Sequence, residues 1–175
     1  MAGGYGAGSA SMDSKWMLNT VYAPTTETTD ETFLWYSVNP RLTLGAAYLL
    51  KQSAFRALGS YLLSPETDTL PSTHISAGLQ GIGTGNPGFS LTSEKNWTLR
   101  FGSLNAFVGV GYRTNVRTLR GVGGFKFSPN GSWTVGYQND GVTHYPFVTY
   151  NRGAMTYGAY LIGFKSPALL VGTRF

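Results

Sequence analysis

From Lys15 to the last residue, bulky residues alternate with small or polar ones at a period of two. That period marks β-strands with two unlike faces. Trp97, Leu99 and Phe101 alternate with Asn96, Thr98 and Arg100. Leu104, Ala106, Val108, Val110 and Tyr112 alternate with Asn105, Phe107, Gly109, Gly111 and Arg113. Trp133, Val135 and Tyr137 stand against Thr134, Gly136 and Gln138, and Leu169, Val171, Thr173 and Phe175 against Leu170, Gly172 and Arg174. Helical spacing is scarce. Only Arg56–Leu63 could be bent into a short helix, and Gly59 weakens it.

Turn residues interrupt these runs about every dozen positions, the spacing of an antiparallel meander. They fall at Thr25–Glu31, Asn39–Pro40, Gln52–Ser53, Ser64–Pro71, Gly83–Gly88, Gly102–Ser103, Thr114–Val116, Pro129–Gly131, Asn139–Gly141, Asn151–Gly153 and Ser166–Pro167. Asn130-Gly131 and Asp140-Gly141 accept the positive φ of tight hairpins. Eleven turns imply twelve strands. The Gln52–Ser53 turn is the weakest, which leaves ten as the alternative.

Composition decides which way the bulky face points. Charged residues are 12% of the chain, about half the usual share of a soluble domain. The 24 glycines are about twice the average frequency, and aromatics reach 14%. In a soluble up-and-down barrel the bulky face is turned inward and polar side chains meet water. Here the other face holds glycine, small polar residues and isolated cations, which suits lipid outside and a tight polar interior. Aromatics near the run ends (Trp16, Tyr22, Trp35, Tyr48, Trp97, Tyr112, Trp133, Tyr150) are placed to form girdles at headgroup level. The expected fold is all-β: a closed antiparallel up-and-down transmembrane β-barrel over 15–175, after a flexible Gly/Ser/Ala-rich segment over 1–14.

No run approaches the length of a membrane-spanning helix. Residues 1–14 have neither the basic start nor the apolar stretch of a secretory leader, so an exported protein would here be in mature form with a start methionine added. The absence of cysteine suits passage through an oxidising periplasm and excludes a disulfide scaffold. Net charge is +5, but the 13 basic residues are scattered singly, against the clustering a nucleic-acid binder needs.

The chain closes on Ala168-Leu-Leu-Val-Gly-Thr-Arg-Phe175. This resembles the C-terminal strand of bacterial outer-membrane β-barrel proteins, with Leu169, Val171, Thr173 and Phe175 as its alternating set and terminal aromatic. Thr173 departs from the usual apolar residue. Strands such as Gly45–Tyr48 and Gly109–Tyr112 extend the likeness over the chain at the level of architecture. The resemblance implies residence in the bacterial outer membrane, contact with its lipids, and recognition of the last strand by the barrel-assembly machinery.

With the bulky face outward, Arg56, Arg100, Arg113, Arg120, Lys126 and Arg174 point inward, Arg41 and Lys51 lie near the rims, and Glu94 is the clearest inward acid. Cations lining a narrow water-filled pore favour anions. The leading expectation is therefore a narrow porin-like channel for small, preferably anionic solutes. The alternative is a closed structural barrel, a subunit of a larger membrane assembly, in which the cations pair for stability. A lipid hydrolase is the lesser alternative. His74 and Ser76 share a strand face, and lipid A deacylases resemble this in using a His and a Ser two apart, but no acid precedes Glu94. Otherwise no catalytic residue is expected. Neither a cofactor nor a metal is expected, since two histidines cannot make a three-His site. Glu27, Asp30 and Glu31 read as a solvated acidic loop, and His144 as a structural or interfacial residue. Gly81–Gly88 and Gly121–Gly124 open no helix, so neither is a phosphate loop.

Overall fold

The period-two segments fold as strands. The computed structural model describes residues 14–24, 30–80 and 85–175, and among these there is no helix. The strands are β1 (Trp16–Tyr22), β2 (Glu31–Ser37), β3 (Leu42–Leu49), β4 (Ala54–Ser64), β5 (Ser72–Leu79) and β6 (Pro87–Leu99). They continue as β7 (Gly102–Arg113), β8 (Leu119–Ser128), β9 (Trp133–Asn139), β10 (His144–Arg152), β11 (Met155–Ile162) and β12 (Ser166–Arg174). Each pairs antiparallel with its chain neighbours and β1 pairs with β12, closing a twelve-stranded up-and-down barrel. Trp16 N donates to Phe175 O at 2.9 Å, and Phe175 N returns a bond to Trp16 O at 3.1 Å. Closure gives every strand a partner on both sides, the condition a sheet must meet in hydrocarbon. The two chain ends of the sheet lie at one end of the barrel, here the termini end; the other is the loop end.

Four local readings shift. Arg56–Leu63 is part of β4, where Leu58 and Ser60 are buried and Phe55 and Tyr61 exposed, so the two-residue period outweighs any helical tendency. β7 already begins at Gly102, and Arg100-Phe101 make the reversal. β10 runs on to Arg152, with the turn at Gly153-Ala154. β12 starts at Ser166 and the turn is Gly163-Phe164-Lys165, with φ of 60° at both Gly163 and Phe164. Two successive positive φ values make a tight hairpin whose twist matches the strands. Phe164 tolerates one because its ring packs 5.7 Å from the His144 ring. Pro167 fits inside a strand because β1 stops pairing with β12 at Leu169.

Outward residues are the bulky set. Val108 is 67% exposed, Val171 48% and Trp97 42%, and Leu169 and Phe175 also face out, whereas Arg113 is buried. Cross-strand aromatic pairs form on this wall at two levels. Trp16–Tyr36 (4.6 Å), Phe101–Phe127 (6.0 Å) and Trp133–Tyr150 (4.9 Å) lie toward the termini end. Tyr48–Phe55 (4.8 Å), Phe89–Tyr112 (5.3 Å) and the Tyr137–His144–Phe164 group lie toward the loop end. Two aromatic belts flank an apolar band, the pattern of a lipid-facing wall.

Candidate functional site

The interior is divided, which corrects the expectation of a uniformly small and polar inner face. On β1–β5 and β10–β12 an apolar arc is buried, including Val21, Phe33, Leu49, Leu58, Phe147, Tyr160 and Leu170. On β5–β9 the buried inward residues are mostly polar: Ser72, His74, Ser90, Thr92, Glu94, Arg113, Thr134 and Gln138. Alternation alone could not reveal the arc, because in those strands both faces carry apolar residues.

Inward glycines shape this wall. A Cβ built on Gly45 would lie 2.8 Å from Trp35 Cε3, one on Gly124 2.8 Å from Phe107 Cε1, and one on Gly136 2.5 Å from Phe147 Cζ. Each large ring therefore packs against a glycine of the neighbouring strand, in space that a side chain would fill. Glycine in a strand marks such a close approach.

The six inward cations occupy different surroundings. Arg113 is buried and its Nη1 lies 3.2 Å from Asp140 Oδ2. Tyr145 OH donates to the same oxygen at 2.6 Å, while Asp140 Oδ1 accepts from Val142 N and Thr143 N at 2.9 and 2.8 Å. Arg56 follows the inward parity of β4 and donates from Nη1 to Phe55 O at 3.0 Å. Arg174 is partly buried at the termini end, Arg100 is exposed in the turn there, and Arg120 is exposed at the loop end. Lys126 lies on the polar wall within electrostatic reach of Glu94. The six are thus spread over the length of the barrel and do not form one ring. Asp140 entered the sequence reading only as a turn residue; its pairing with Arg113 spans 27 positions and leaves no local signal.

His74 is buried, and its Nε2 lies 3.1 Å from Ser72 Oγ. Ser76 is not its partner: Ser76 Oγ donates to Ser60 Oγ at 3.0 Å. Ser72 Oγ donates to the Glu94 backbone carbonyl at 3.1 Å, which commits the proton a nucleophile would have to give up. His144 is on the outer wall, its Nδ1 bonded to Tyr137 OH and to Asn139 Nδ2. Among the described residues no cluster of three or more potential metal ligands occurs.

The first-loop acids are structural ties, which corrects their reading as solvated. Glu31 is fully buried and accepts from Gly85 N at 3.1 Å, joining β2 to the β5–β6 loop. Asp30 Oδ1 accepts from Ala23 N at 2.9 Å and lies 3.8 Å from Lys51 Nζ. Glu27, residues 1–13 and 81–84 lie outside the described residues.

At the termini end β6 and β7 overrun β5, and the 65–71 loop covers the exposed edge of β6. Glu66 Oε1 accepts from Asn96 N at 3.0 Å and Oε2 from Asn96 Nδ2 at 2.5 Å. Lys95 Nζ lies 3.4 Å from Glu66 and donates to Thr67 O and Asp68 O at 2.5 and 3.0 Å. Burial, the largest single influence, pushes the Glu66 carboxyl up; the bonds from Asn96 and Lys95 and the Lys95 charge outweigh it and hold the group below the ordinary carboxylate value. A depressed carboxyl stabilises the clamp above the ordinary value and loses that contribution as pH falls through its folded value. Acidification is therefore expected to lower the protection of the Asn96 amide against hydrogen exchange, measured relative to the intrinsic rate at the same pH, and Glu66→Gln to remove that drop.

Closed twelve-strand topology, an apolar band between aromatic belts and a part-polar interior define a small porin-like β-barrel. Among solved structures the chain is similar to the KdgM porin, with a TM-score of 0.56 at 12% identity, covering 91% of this chain and 97% of that one. At that identity the likeness is one of fold. No family model and no curated protein matches the chain.

Proposed function

We propose that the chain is a narrow bacterial outer-membrane channel for small, preferably anionic solutes, lined by Arg56, Arg113, Lys126 and Arg174 with Arg100 and Arg120 at the two mouths. The observation that carries this reading is the packing of Trp35, Phe107 and Phe147 against Gly45, Gly124 and Gly136, which seats ring bulk in space that side chains on the wall would otherwise fill. A surplus of interior cations over acids supports the sign of the preference. The outer band supports contact with outer-membrane lipid, and the outward alternation of Leu169, Val171, Thr173 and Phe175 supports recognition of β12 by the assembly machinery.

A closed structural barrel, working beside other membrane subunits, is the second reading. The buried apolar arc favours it, together with Tyr160, whose buried hydroxyl has no hydrogen-bond partner among the described residues. Planar-bilayer recording separates the two. The channel reading expects discrete conductance steps whose reversal potential favours anions; a folded barrel that inserts and stays silent supports the closed one.

A further inference from the structure

The mixed charge of the polar wall carries a second step, which rests on the channel reading. Of the six inward cations, Arg113 is held by Asp140, Arg56 by a backbone carbonyl, and Arg100, Arg120 and Arg174 lie toward the two ends. Lys126 differs. It is inward on the wall, has no hydrogen bond among the described residues, and the charge it faces is Glu94. Register explains the meeting: Asn105 of β7 pairs with Asn96 of β6 on one side and Lys126 of β8 on the other, with Glu94 two residues along the same face of β6. Asn105 Nδ2 donates to Glu94 Oε1 at 2.6 Å and to Asn96 Oδ1 at 2.8 Å, which fixes the carboxylate. Its own Oδ1 is buried and without a partner.

We propose that Glu94 is a specificity-determining residue of the lumen: it opposes Lys126, and neutralising it strengthens the preference for anions. A carboxylate on the same wall, two strands from the unbonded ammonium, offsets part of that cation's field on a passing ion, while its own field favours cations. The groups facing Glu94 are His74 and Ser72 from β5, Asn105 and Phe107 from β7, and Lys126 from β8.

The test is the reversal potential of the whole chain in planar bilayers under a potassium chloride gradient. Glu94→Gln is expected to raise the chloride-to-potassium permeability ratio at neutral pH about tenfold, because a unit charge acting through ~6 Å of water shifts each ion about threefold and in opposite directions. Lys126→Gln is expected to lower it. If Glu94→Gln fails to fold, Glu94→Ser carries the same expectation. A conducting barrel whose ratio ignores removal of the Glu94 charge overturns this proposal and leaves the channel reading standing. A wild type that does not conduct removes both.

Discussion

Asp140→Ala is expected to cost about 3–5 kcal/mol in guanidinium unfolding from lipid vesicles, the usual range for removing one partner of a buried ion pair. The loss is large because one carboxylate does several things. It neutralises Arg113, whose side chain is only 7% exposed, accepts from Tyr145 OH, and caps the β9–β10 turn through Val142 N and Thr143 N. Alanine would leave a guanidinium desolvated without a counter-charge, and Arg113 Nε already lacks a bond. Asp140→Asn keeps an oxygen for the turn amides but loses the charge, so the gap between the two variants measures the turn cap. In Asp140→Ala the second change Arg113→Met should recover a good part of the loss, since the stranded charge goes with it. Equal stability of Asp140→Ala and wild type would show that Arg113 reaches water by another route and that the pair is incidental.

Alternation and turn chemistry together carried the architecture. A lipid-facing wall must be apolar at every second residue over its whole height, so the outward sets of β6–β9 and β12 could be read directly. Twelve strands followed because nearly every reversal holds Gly, Pro, Asn or Asp. The misplaced turns show the limit of that signal: Gly102, Ser166 and Pro167 are turn-type residues inside strands, while Phe164 takes a positive φ that its residue type does not advertise. The interior was legible as parity but not as neighbourhood. Glu94 with Lys126, Arg113 with Asp140 and Glu31 with Gly85 are brought together by strand register or by loops folding back. His74 shows the same limit at short range. Ser72 and Ser76 both share its strand face, and only the register with β6, which places Ser72 opposite Glu94, decides between them.

The largest contrast within a single substitution type should come from arginine at two depths of the outer wall. Val108 lies near the middle of β7, flanked across the strands by Ser93 and Gly123, which leave it uncovered. Leu119 opens β8 at the loop end and is comparably exposed. In lipid, Val108→Arg should cost about 2–4 kcal/mol because the guanidinium must sit in hydrocarbon or drag water to itself, whereas Leu119→Arg should cost only about 0–1 kcal/mol near the headgroups. In a barrel standing in water the two would match and both would be small, roughly within 0.5 kcal/mol, since neither side chain supports a core. Guanidinium unfolding of both variants from the same vesicles reads the difference directly. Only the presence of acyl chains at the height of Val108 separates the two predictions, so equal costs would mean that the bulky face is not the lipid face. The inward assignment of Arg113 and Lys126 would then need another explanation.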